Sequence, residues 1–297
     1  MPISLRSESE RSTRSPCVGE SVTEALSKPF PARNRVERRL ERTVLENRFT
    51  IAVVFPLVGV CLLIAGRQGI LPAWLALNPA LLIAANLVMV SPLIAGLAPL
   101  VDRRALGGLA LLAVFTWGIE MIGVRTGVPY GTFSYQLDLG PMVFGVPVGL
   151  PVFFFPILLN SYLLALLVLG PISLPTRFGL ALAFVLAMDL VLDPGAVALG
   201  FWAWTDPGAY YGVPAVNYAG WVLSGSVGLC IVSFSFDRRD LWDRLENCPF
   251  LLDDLVSFVL FWGLINAYFG NSIPVVLAAA FAGALLWTDR FDFAVLR

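Results

Sequence analysis

Long blocks that are apolar on every face alternate along the chain with short polar joints. Eight blocks stand out, at residues 49–66, 80–100, 105–123, 150–170, 177–192, 215–236, 251–270 and 272–288. The last two are divided only by a turn at Gly270 and Asn271. About 20 apolar residues in a helix cross a bilayer, and a helix that is apolar all round has no face to offer water. The pattern therefore predicts an all-α fold, a polytopic membrane helix bundle of about eight transmembrane helices filling residues 49–288.

The ends of the chain read differently. Residues 1–48 are polar and finish in a basic run with Arg33, Arg35, Arg38, Arg39, Arg42 and Arg48. They predict a disordered tail with a short amphipathic helix from about Arg35. The first apolar block begins too late for a signal peptide. Residues 289–297 form a second short tail, and the joint 237–247 carries Leu241, Trp242 and Leu245 at the spacing of an interfacial helix.

Composition narrows the classes. With 58% hydrophobic and 14% charged residues and a mean hydropathy of +0.79, the chain lacks the polar faces of a soluble fold. The net charge is −1 and the arginines sit in the tails and joints, which excludes a nucleic-acid partner. Arg103, Arg104, Arg177, Arg238, Arg239, Arg244, Arg290 and Arg297 fall on the side of the first tail, against Arg67 and Arg125 on the other. By the positive-inside rule both termini are then cytoplasmic, in a multi-pass protein of the cell membrane. The chain has no histidine, so acid and base must be carboxylates, tyrosines or water, and no metal site is expected. Cys17, Cys61, Cys230 and Cys248 are scattered and read as packing residues.

Two stretches carry the chemistry. In the first, Glu120 near the end of an apolar block is followed by Gly131, Tyr135, Asp138, Phe144 and Gly145 to Pro147. In the second, Asp189 and Asp193 are followed by Gly200, Trp204, Asp206, Tyr211 and Gly212 to Pro214. Both copies leave and re-enter on the same side, so they predict a parallel internal repeat about an axis along the membrane normal. A carboxylate inside a span costs about 2.5 to 3.5 kcal/mol at its centre, so Glu120, Asp189 and Asp193 require a reason. Asp189 and Asp193 are one turn apart and share a helix face. The bland alternatives are that Asp193, before Pro194, caps a turn and that Glu120 pairs with Arg125. Phe201, Trp202, Trp204, Tyr210 and Tyr211 suit either an interfacial belt or a pocket for an elongated apolar ligand. Asn160 and Asn217, in apolar surroundings, orient water or bridge helices.

With these residues in view, the chain resembles the carotenoid biosynthesis hydratase family. The matching parts are GIEMIGVRTGVPYGTFSY, LGPMVFGVPVGLP and DLVLDPGAVALGFWAWTDPGAYYGVPAVNYAGW, roughly a third of the chain. The resemblance implies addition of water to the terminal carbon–carbon double bond of a long linear carotenoid, giving a tertiary alcohol. A C50 substrate of the bisanhydrobacterioruberin type is implied by the haloarchaeal branch. Protonation of such an alkene generates a tertiary cation and needs an acid, aromatic shielding and an activated water, with no metal or organic cofactor. Asp189 or Glu120 is the candidate acid, and the other or Asp193 the water-directing base. Arg125, Tyr130, Tyr135, Asn160, Trp202, Trp204, Tyr210, Tyr211 and Asn217 are candidate substrate contacts. The partners expected are the carotenoid in the bilayer, membrane lipids and other enzymes of the pathway. The competing reading is a carrier or scaffold that holds carotenoid without chemistry. Prenyl transfer lacks its aspartate-rich pair, since Asp253 and Asp254 stand alone at the start of a block.

Overall fold

A computed structural model describes residues 31–72, 74–170 and 174–288. The expected disordered start of the first tail, with Cys17 in it, and the second tail with Arg290 and Arg297 lie outside these residues. Helix α1 spans Pro31–Glu46, four residues earlier than expected, and α2 spans Phe55–Arg67 behind a π-helical turn at Thr50–Val54. Then follow α3 (Pro79–Leu97), α4 (Arg103–Thr126), α5 (Leu150–Leu169), α6 (Leu174–Leu199) and α7 (Ala215–Ser235). The predicted interfacial helix is α8 (Arg238–Asn247), tied to α1 by an ion pair between Arg244 and Glu41. Helices α9 (Asp253–Phe269) and α10 (Ser272–Trp287) form the closing hairpin.

The bundle is a polytopic membrane fold. Among the described residues, six helices are long and apolar enough to cross a bilayer, counting the π turn with α2. The count of eight is not reached by that measure. Helices α9 and α10 have 17 and 16 residues, which at 1.5 Å per residue is only about 25 Å.

Helix α6 differs most from its expected outline of 177–192. It runs on through Pro194 to Leu199, so Asp193 lies inside a helix and caps nothing. A proline inside a helix removes one N–H and strands the carbonyl four residues before it. In lipid that carbonyl must find another donor. The hydroxyl of Tyr210 donates to Leu190 O at 3.0 Å and supplies it. The same solution serves the other two interior prolines. Ser91 donates to Val88 O at 2.7 Å for Pro92, and Asn86 donates to Val152 O at 2.9 Å for Pro156. Tyr210→Phe is expected to cost about 1–3 kcal/mol, the penalty of a buried unpaired acceptor, read as a lower unfolding temperature in detergent.

The two repeat copies lie together. Helix α4 packs chiefly on α7 and α5 on α6, the arrangement a two-fold relation between α4–α5 and α6–α7 requires. The loops between them repeat their backbone as well. Phe144 and Gly145 have φ of 54° and 87°, and Tyr211 and Gly212 have 50° and 86°. Glycine suits the second of these positions because φ there is positive. Strands β1 (Phe133–Tyr135) and β4 (Trp202–Trp204) pair antiparallel, while β2 (Met142–Val143) and β3 (Val146–Pro147) form a small hairpin.

Candidate active site

The strand pair β1–β4 is where the two copies meet. Phe133 faces Trp204, Ser134 faces Ala203 and Tyr135 faces Trp202. The flanking amides exchange bonds symmetrically, Thr205 N to Thr132 O and Gln136 N to Phe201 O, both at 2.9 Å. Each contact has a mate with the copies swapped, as an isologous interface demands. Side chains alternate across a strand, so Ser134 and Ala203 are exposed on one face. Phe133, Tyr135, Trp202 and Trp204 form the other, an aromatic roof over a cavity of about 540 Å³.

Under this roof the carboxylates gather. Glu120 lies six residues before the end of α4, and Asp193 six before the end of α6. Both line the cavity and are near enough for their charges to interact. The hydroxyl of Tyr135 donates to Glu120 Oε1. Burial, and then the Glu120 carboxylate beside it, push the Tyr135 phenol above its usual range, so it remains a donor. Asn217 joins the other two acids, its Nδ2 donating to Asp193 Oδ2 at 2.6 Å and to Asp189 Oδ2 at 3.2 Å. Asp189 is fully buried about one turn deeper than Asp193, and its Oδ1 has no hydrogen-bond partner among the described residues.

Tyr130 completes the wall by wedging between helices. A Cβ on Gly123 of α4 would stand 2.9 Å from its ring, and one on Gly220 of α7 would stand 2.5 Å away. Only glycine admits that approach. The Tyr130 carbonyl accepts from Trp204 Nε1 at 2.9 Å, which fixes the roof to the wall. Trp221 stacks on Phe154 at 4.8 Å beneath.

The cavity reaches the side of the bundle. Leu62 of α2 and Leu81 and Val88 of α3 line it and are also among the exposed apolar side chains. It therefore opens between α2 and α3, on a surface that faces lipid.

Of the expected contacts, Tyr130, Tyr135, Asn160, Trp202, Trp204 and Asn217 line this cavity with Glu120 and Asp193. Arg125 does not. It is exposed and lies over the Phe144 ring at 5.0 Å, which also removes it as a partner for Glu120. Tyr210 serves the α6 proline, and Tyr211 bonds Ser272 and Ile273 N on α10. Asp254 was missed. It lines the same cavity and accepts from Asn160 Nδ2 at 2.6 Å. The sequence signal for it was an acidic residue opening an apolar block, which any helix start shows.

A family model described as carotenoid biosynthesis protein matches residues 77–285 of the chain. The chain belongs to that family. A relative from Haloarcula japonica named bisanhydrobacterioruberin hydratase is 57% identical over 258 residues, 86% of this chain and 88% of its own. No solved structure matches the chain. The family match spans from just before α3 to the last turns of α10, and so contains Glu120, Asp189, Asp193, Asn217 and the whole roof.

Proposed function

We propose that this protein is a carotenoid hydratase, adding water to the terminal double bond of a long linear carotenoid of the bisanhydrobacterioruberin type. What carries the reading is one observation: carboxylates gathered under an aromatic roof, in a largely apolar cavity open to lipid. A cavity of about 540 Å³ is in the range for a drug-sized ligand and suits one end of a long polyene, the remainder staying in the bilayer between α2 and α3.

The reaction divides between Glu120 and Asp193. One carboxylic acid gives its proton to the less substituted alkene carbon, and the π electrons form the new C–H bond. The tertiary cation that results sits beneath Tyr135, Trp202 and Trp204, whose ring faces attract positive charge by about 0.5 to 2 kcal/mol each. Water attacks the cation and loses a proton to the second carboxylate, giving the tertiary alcohol. Asn217 holds the Asp193 carboxylate in place and links it to Asp189, which acts behind the reacting groups. Proton transfer by positioned groups contributes about 10² to 10⁴ in rate.

The setting follows the arginine distribution: residues 49–288 in the cell membrane, both termini cytoplasmic and the roof on the outer side. Other pathway enzymes and lipids are its neighbours there. Expression in cells that make the unhydrated carotenoid tests the activity. Pigment mass spectrometry is expected to find a gain of one water for each hydrated end. Pigment bound stoichiometrically but recovered unchanged would mean a carrier instead.

A further inference from the structure

We propose that Asn160 and Asp254 form a second polar station in the cavity, one that receives a hydroxyl group on the carotenoid and so sets how far the chain enters. This deepens the hydratase reading and rests on it for the class of ligand. Asn160 is 1% exposed and Asp254 4%, and one hydrogen bond joins them. Each keeps an oxygen, Asn160 Oδ1 and Asp254 Oδ1, with no hydrogen-bond partner among the described residues. Both residues line the cavity, apart from the group of Glu120, Asp193 and Asn217, in a wall made mostly of apolar side chains.

Two buried, unpaired acceptors in an apolar cavity call for a donor. A hydrocarbon end cannot supply one, whereas an alcohol can donate to either oxygen. The position also fits a register device. Ser161, next to Asn160, lies 3.4 Å from Met188, next to Asp189, so the station is level with the inner end of the acid cluster. A hydroxyl held there brings the adjoining carbons of the same chain under Glu120 and Asp193. The neighbouring Asp253 is engaged by Arg48, which leaves Asp254 to face the cavity.

Binding decides this without any turnover. The full chain in lipid nanodiscs is offered two linear polyenes of equal length, one ending in a tertiary alcohol and one in the plain hydrocarbon. The native chain is expected to hold the alcohol up to about tenfold more tightly, the worth of one net hydrogen bond. In Asp254→Asn, which retains an oxygen for Asn160, that preference is expected to shrink several-fold. In Asp254→Leu it is expected to vanish while the hydrocarbon still binds. Equal binding of the two ligands by the native chain overturns the proposal, and so does an undiminished preference in both variants. A chain that prefers the alcohol yet never adds water to a carotenoid sinks the hydratase reading and leaves the station standing.

Discussion

Asp193→Asn and Glu120→Gln are each expected to lower hydration by about 10² to 10⁴, with the chain inserted and folded as before. Each replacement is nearly isosteric. Asparagine at 193 still accepts from Asn217 Nδ2, and glutamine at 120 still accepts from the Tyr135 hydroxyl, so the hydrogen bonds that position both side chains survive. What is lost is the ability to give or take a proton. Because the two groups serve one proton-transfer cycle, the double variant is expected to be little worse than either single one. Asp189→Asn is expected to cost less, since Asp189 does not line the cavity and stands behind Asn217 and Asp193. Turnover of carotenoid by the variants in membranes, normalised to inserted protein, measures all four. Near-native turnover by either single variant removes that residue from the chemistry.

Much of this site was legible because its signals are local. The eleven-residue step from Glu120 to Gly131 recurs from Asp189 to Gly200, and these positions are related by the two-fold in the fold. The aromatic, Gly, Val, Pro tetrad likewise announced the matching positive φ values. What escaped depends on distant partners. Pro194 reads as a helix stop because the donor that rescues Leu190 O sits on Tyr210, beyond the end of the helix. Asp254 reads as an ordinary first-turn acid because Asn160 is 94 residues away. Arg125 and Glu120 are five positions apart, but the guanidinium turns outward to Phe144 while Glu120 turns in to Tyr135. Charge complementarity in sequence did not foretell which neighbour each would choose.

Arg48→Leu is expected to destabilise the protein by about 3–5 kcal/mol, the cost of leaving a buried charge without its partner. Arg48 Nε and Nη2 reach the two oxygens of Asp253 at 2.7 and 2.9 Å, and Nη2 also donates to Pro249 O at 2.8 Å. Asp253 is fully buried at the start of α9, so water cannot replace the guanidinium. Lysine is a poor substitute, because its single ammonium lacks the planar fork that meets both oxygens at once. Removing both charges is a different matter. Arg48→Leu with Asp253→Leu is expected to recover most of the loss, since an apolar pair avoids the desolvation that the ion pair must offset. Thermal unfolding of the two single variants and the double one in detergent measures the coupling. A coupling near zero would mean that Asp253 is held by other groups. The pair then has a consequence for the cavity next door: with Arg48 gone, Asp253 competes with Asp254 for donors, so ligand binding is expected to weaken in the single arginine variant and return in the double.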